Sequence, residues 1–121
     1  MEKNVNFKSI ILFTHNNLDI VVSAVFHEGI YWFTKQHISE LYDKDIRVIT
    51  RYINNIFVEN ELDKKSHVRR WFMKNVYVKV QFFSLDVVLA LGYRIKSFRG
   101  QQFRKWLTSV AKDKMLLANS K

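Results

Sequence analysis

Arg47, Thr50 and Arg51 recur at intervals of three and four residues, so on a helix they share one face, with Asn54 a turn further on. Guanidinium and hydroxyl groups presented from one helical face are donors suited to base edges in a duplex groove. A second set of cations, Lys44, Arg69, Arg70, Lys74 and Lys79, suits phosphates, and Lys96, Arg99 and Lys105 extend that basic surface. Arg94 and Arg104 stay open between such contacts, pairing with Asp86, and interaction with a helix C-terminus.

Other chemistries find no matching pattern. His15, His27, His37 and His67 are scattered without the spacing of a helical metal pair. There is no cysteine, hence no disulfide, thiolate nucleophile or cysteine-containing zinc site. Acidic residues form no cluster of the kind a Mg²⁺-dependent nuclease needs, and no glycine-rich phosphate loop or nucleophile elbow occurs. The expectation is a protein that is not an enzyme and holds neither metal nor cofactor.

Periodicity places the elements that must carry the cations. Thr34 offers a cap to a first helix with Ile38 and Leu41 inward. Asp43-Lys44-Asp45 interrupts the stripe, and Asp45 caps a second helix from Ile46, with Ile49, Ile53 and Ile56 inward. Two short helices joined by about three residues read as a helix-turn-helix, whose second helix suits the DNA major groove. Upstream, Ser9–Thr14, Leu18–Phe26 and Ile30–Phe33 alternate as strands around turns at His15-Asn16-Asn17 and Glu28-Gly29, a three-stranded β meander. Ile20, Val22, Ala24 and Phe26 form the more apolar face of its middle strand. Trp32 and Phe33 are expected in the core, with base stacking as the alternative.

Downstream, residues 58–66 form a polar connection anchored by Leu62. His67–Met73 and Val76–Phe83 read as a wing-like β-hairpin turning at Lys74-Asn75. Ser84-Leu85-Asp86 opens a helix that Gly92 is expected to stop. A last helix starts near Ser97, with Phe103, Trp106, Leu107, Val110 and Ala111 in one stripe. The fold class is therefore α+β: a single domain over 1–121, in the order β-β-β-α-α-β-β-α-α with two C-terminal helices.

Composition agrees with one core. At 48% hydrophobic residues with ten Phe, five Tyr and three Trp, the 121-residue chain lies outside the disordered class. The net charge of +9 is unevenly spread: residues 1–63 hold six Lys/Arg against nine Asp/Glu, and residues 64–121 hold fourteen against two. Such a bias points to an anionic partner, nucleic acid ahead of membrane. No apolar run approaches a membrane span and the N-terminus is not a signal peptide, so an intracellular protein is expected.

The stretch from Leu85-Asp86 through Gly92-Tyr93-Arg94, Ser97, Arg99-Gly100 and Gln102-Phe103-Arg104 to Trp106 closely resembles the N-terminal domain of the RhuM-like virulence protein family. Ile49-Thr50, Asn55-Ile56-Phe57, Glu61-Leu62-Asp63 and the strand leading into Thr34 fit too, so the resemblance spans roughly residues 8 to 117. The family is similar to phage and baculovirus Bro-N type domains. The resemblance implies a phage, mobile-element or pathogenicity-island protein that binds DNA and regulates transcription; longer relatives carry C-terminal regions beyond this part. Two departures stand out. Family members usually carry glycine and an apolar residue in the inter-helix turn, where this chain has Asp43 and Lys44. They are polar at the start of the second helix, where it has Ile46-Arg47-Val48; Ile46 and Val48 are either repacked core or contacts to thymine methyls.

The expected function is a duplex-DNA-binding transcriptional regulator in a bacterial host's cytoplasm, with Arg47, Thr50 and Arg51 facing bases and a homodimer as the usual arrangement of such proteins. The alternative is a protein-interaction module that inhibits or senses a host factor.

Overall fold

Alternating β-branched and aromatic residues build β1 (Lys8–His15), β2 (Leu18–His27) and β3 (Ile30–Phe33). The turns between them use residues with positive φ, Asn16 and Asn17 in the first, Glu28 and Gly29 in the second. With two such residues each, both are connections whose twist matches the flanking strands. The structure, a computed structural model, describes residues 6–73 and 77–119. Among those residues the chain is α+β, with a five-stranded antiparallel sheet in the order β1-β2-β3-β5-β4 and five helices. The remaining elements are α1 (Lys35–Tyr42), α2 (Ile46–Val58), α3 (Lys64–His67), β4 (Val68–Phe72), β5 (Lys79–Ser84), α4 (Leu85–Arg94) and α5 (Phe98–Asn119).

The main core lies between one sheet face and the helices. Ile20, Val22 and Ala24 of β2 enter it, while Phe26, expected on the same face, is exposed; Phe33, Phe83, the inward isoleucines of α2 and Val87, Val88 and Leu91 of α4 complete it. Tyr42 is buried there, and its hydroxyl donates to the Val88 carbonyl at 2.7 Å. Burial pushes that phenol above the usual tyrosine range, so it stays a neutral donor. The opposite parity forms a second, smaller cluster of Val25, Trp32 and Phe82 with Phe7, Trp71, Met73 and Val80. Trp32 and Phe33 are both core.

Three local expectations are corrected. Gly92 does not stop α4, which runs through it to Arg94. A built Cβ at Gly92 would lie 2.1 Å from the Phe103 ring and 2.9 Å from the Tyr42 hydroxyl, so the glycine lets α5 and α1 close on α4. The segment ahead of β4 is not all loop: Asp63 accepts from the Ser66 amide at 2.9 Å and starts the single turn α3. β5 begins at Lys79: Tyr77 and Val78, expected within the strand, are exposed ahead of it, and Val76 lies outside the described residues. The turn expected at Lys74-Asn75 lies outside the described residues.

Candidate nucleic-acid interface

The α1–α2 pair forms for the local reasons its sequence suggests. Thr34 Oγ1 accepts the His37 amide at 3.2 Å, and Ile38, Leu41 and Tyr42 turn inward. Asp43 ends α1 in the left-handed region at φ 54°, donating its amide to the Glu40 carbonyl. That is the conformation glycine adopts most readily, and Asp43 adopts it here. Ser39 Oγ donates to the Lys44 carbonyl and pins the turn. Asp45 then caps α2, accepting the Arg47 amide at 2.8 Å.

That cap also engages the first base-facing candidate. Arg47 Nε and Nη2 donate to the two Asp45 carboxylate oxygens at 3.1 and 3.2 Å. The hydrogen bonds from Arg47 hold the Asp45 carboxyl below its ordinary value and raise the guanidinium in turn. Thr50 is back-bonded, its hydroxyl donating to the Ile46 carbonyl at 2.9 Å. Arg51 is exposed and lies 5.7 Å from the centre of the Tyr52 ring. Ile46 is exposed and Val48 half-buried, and neither belongs to a core cluster. Lys44 is half-buried in the turn. The outward face of α2 thus carries the predicted residues, with one arginine neutralised by its own cap.

The edge strand differs. Arg69 and Arg70 are successive on β4, so they leave opposite faces of the sheet. Arg69 stacks 4.9 Å over Trp32 and donates to the Lys65 and Val68 carbonyls. Arg70 sits opposite Gln81, and Lys79, opposite Phe72, lies 5.7 Å from that ring's centre. β4 is the last strand of the sheet, so its open edge is where one partner meets both faces. Lys64 and Lys65 of α3 join this group; they were missed because residues 58–66 read as loop. Lys74 lies outside the described residues. All five described cations of this group are exposed, and among the described residues none pairs with a carboxylate.

The third group divides. Lys96 and Lys105 are exposed, Lys105 beside Gln101, Arg104 and Thr108 in an open depression. Arg99 is half-buried in a cleft. Arg94 bridges Glu59 and Glu61 at 2.8 and 2.6 Å, tying the end of α2 to the end of α4; its partner is not Asp86. These carboxylates raise the guanidinium above its ordinary value. Arg104 takes the helix C-terminus, donating to the Gly92 and Ile95 carbonyls at 2.9 and 2.7 Å. Ser97 Oγ caps α5 through the Gly100 amide, and a Cβ at Gly100 would lie 2.5 Å from the Ile95 carbonyl oxygen. The glycines, Arg104 and Ser97 together fix one close α4–α5 corner.

A family model described as the virulence protein RhuM family matches residues 60–118. Over that segment the chain is similar to the RhuM family. The segment contains α3, β4, β5, α4 and all but the end of α5, and with them most of the positive charge. The RhuM match does not reach the α1–α2 pair, which the sequence resemblance also covered. No curated protein and no solved structure matches the chain.

His67 Nδ1 lies 2.7 Å from Ser84 Oγ and 3.9 Å from Asp86. Both partners face one ring nitrogen, and Ser84 is buried as the cap of α4, so the trio lacks the two-sided relay of a nucleophilic triad. No group of three or more His, Asp or Glu among the described residues is arranged to hold a metal ion. No helix among them is long and apolar enough to cross a membrane.

Proposed function

We propose that this RhuM-like chain binds duplex DNA through the open edge of β4, with α3 beside it, as a regulator of phage or mobile-element origin. One observation carries this: Lys64, Lys65, Arg69, Arg70 and Lys79 are exposed without carboxylate partners among the described residues, in a chain whose acidic residues lie almost wholly before them. Unneutralised cations release condensed counterions on meeting phosphates, and that release drives association. In this reading α1–α2 is a helix-turn-helix, β4–β5 is its wing, and α2 reads bases with Arg51 ahead of Arg47. Arg47 must first leave Asp45, so it contributes less. Kinship with Bro-N type domains, a cytoplasmic location in a bacterial host and a homodimer belong to the same proposal.

The test compares Arg69→Ala with Arg70→Ala against Arg47→Ala with Arg51→Ala in binding to random duplex DNA. The β4 pair is expected to weaken binding more at low salt. An effect confined to the α2 pair would reverse the assignment. The other reading, a protein-interaction module, is favoured by the exposed Ile11, Leu18, Val21 and Phe26 on β1 and β2, Ile11 and Val21 being register partners. Salt-insensitive capture of a host protein without DNA binding would select it.

A further inference from the structure

We infer that the cleft between β2, α1 and the start of α5 binds a small organic carboxylate through Arg99, with His37 as a second donor. The cleft measures about 320 Å³, at the lower end of small-molecule sites, and Ile20, Val22 and Leu41 give it an apolar floor. Ser23, His37, Glu40 and Arg99 supply its polar lining.

Arg99 breaks a local rule. It stands in the first turn of the 22-residue α5, where the helix macrodipole disfavours a cation. It is half-buried, and among the described residues it has neither a hydrogen bond nor an ion pair. Glu40 shares the cleft, but its carboxylate accepts from Gln36 Nε2 at 3.0 Å, not from Arg99. A partly desolvated guanidinium with free donors is a fork shaped for a carboxylate. Departures of this kind, with no structural compensation, concentrate at functional positions.

His37 is set up to assist. Thr34 Oγ1 accepts the His37 amide and lies 2.9 Å from Nδ1, so its hydroxyl hydrogen is free to donate to that nitrogen. With the hydroxyl donating in that way, Nε2 carries the ring proton and is a donor with no acceptor among the described residues. Phe7 holds the ring edge-on at 4.9 Å between centroids. Glu40 opposes a second negative charge, which favours a monocarboxylate over a phosphate dianion. The proposal stands apart from the DNA reading, which uses the β4 edge.

The test is an amide-shift NMR titration of the whole chain with benzoate, phenyl phosphate and neutral benzamide. Benzoate is expected to give saturable shifts at Ser23, His37 and Arg99, tighter than phenyl phosphate, with benzamide inert. Arg99→Ala should weaken benzoate by about tenfold or more at an unchanged melting temperature, and Arg99→Lys by less, since it keeps the charge without the fork. No saturable benzoate shift, equal binding of benzamide, equal binding to Arg99→Ala, or tighter binding of phenyl phosphate would each overturn the proposal.

Discussion

Gly92→Ala sets two effects of opposite sign against each other. In the interior of an exposed helix, alanine is worth about 1 kcal/mol over glycine. Here the new methyl would lie 2.1 and 2.2 Å from two atoms of the Phe103 ring, more than 1 Å inside ordinary contact. Phe103 is fully buried, and edge-on rings of Phe13 and Tyr42 hold it at 5.4 and 6.1 Å. Tyr42 is itself tied to the Val88 carbonyl, so neither neighbour can swing aside into solvent. Relief therefore requires α5 to move off α4, which strains the Arg104 bonds to Gly92 and Ile95. Overpacking of this kind costs roughly 1–3 kcal/mol, at the upper end when the obstacle is rigid. A net loss of about 2 kcal/mol is expected, or roughly a 6–12 °C fall in Tm for a domain of this size. Urea and thermal unfolding measure it, and Gly92→Ala with Phe103→Leu should recover part of the loss through coupling of the two sites. Stability equal to or above wild type would refute the close-packed corner.

Three further outcomes follow from the same geometry. Arg104→Met should destabilise by about 2–3 kcal/mol, since two half-buried carbonyls lose a charged donor; unfolding midpoints check this, with Arg104→Lys recovering part. Asp43→Gly should stabilise by about 0.5–1 kcal/mol, because glycine adopts the φ 54° conformation without steric cost; a fall in the urea midpoint would contradict it. Asp45 and Asp63 should both titrate below ordinary aspartate, Asp45 because Arg47 favours its charged form and Asp63 because Ser66 does. The contribution of each cap is then present above the unfolded-state pKa and lost as pH falls through the lower folded value, which carboxyl NMR follows. An ordinary aspartate titration at Asp45 would mean that the Arg47 bridge does not form in solution.

Much of the fold is legible in the sequence because its local signals agree. Alternation placed β1 to β3 and, Phe26 apart, the face of β2 that enters the main core. Thr34 and Asp45 marked helix starts, and the isoleucine spacing marked the buried side of α2. Gly92 misled because glycine suits both a helix end and a close helix crossing, and only tertiary packing distinguishes them. The single turn α3 was hidden in a lysine-rich connection with one cap and no apolar stripe. At the candidate sites the cations themselves were visible, but not their engagement. Arg47 on Asp45 follows from a two-residue spacing that reads only as a cap. Arg94 on Glu59 and Glu61 bridges more than thirty residues. Arg69 and Arg70 look like one basic pair in sequence, yet a strand sends them to opposite faces.

The most direct measurement of the central claim is the salt dependence of wild-type affinity for random duplex DNA, between about 50 and 200 mM. Five phosphate contacts from the described α3–β4–β5 cations give an expected slope of roughly −4.5 in log affinity against log salt, or about a 500-fold loss over that range. Each cation removed from the β4 edge should lower the slope's magnitude by about 0.9. An affinity that ignores salt, or no binding at the lower concentration, would contradict a duplex seated on that edge.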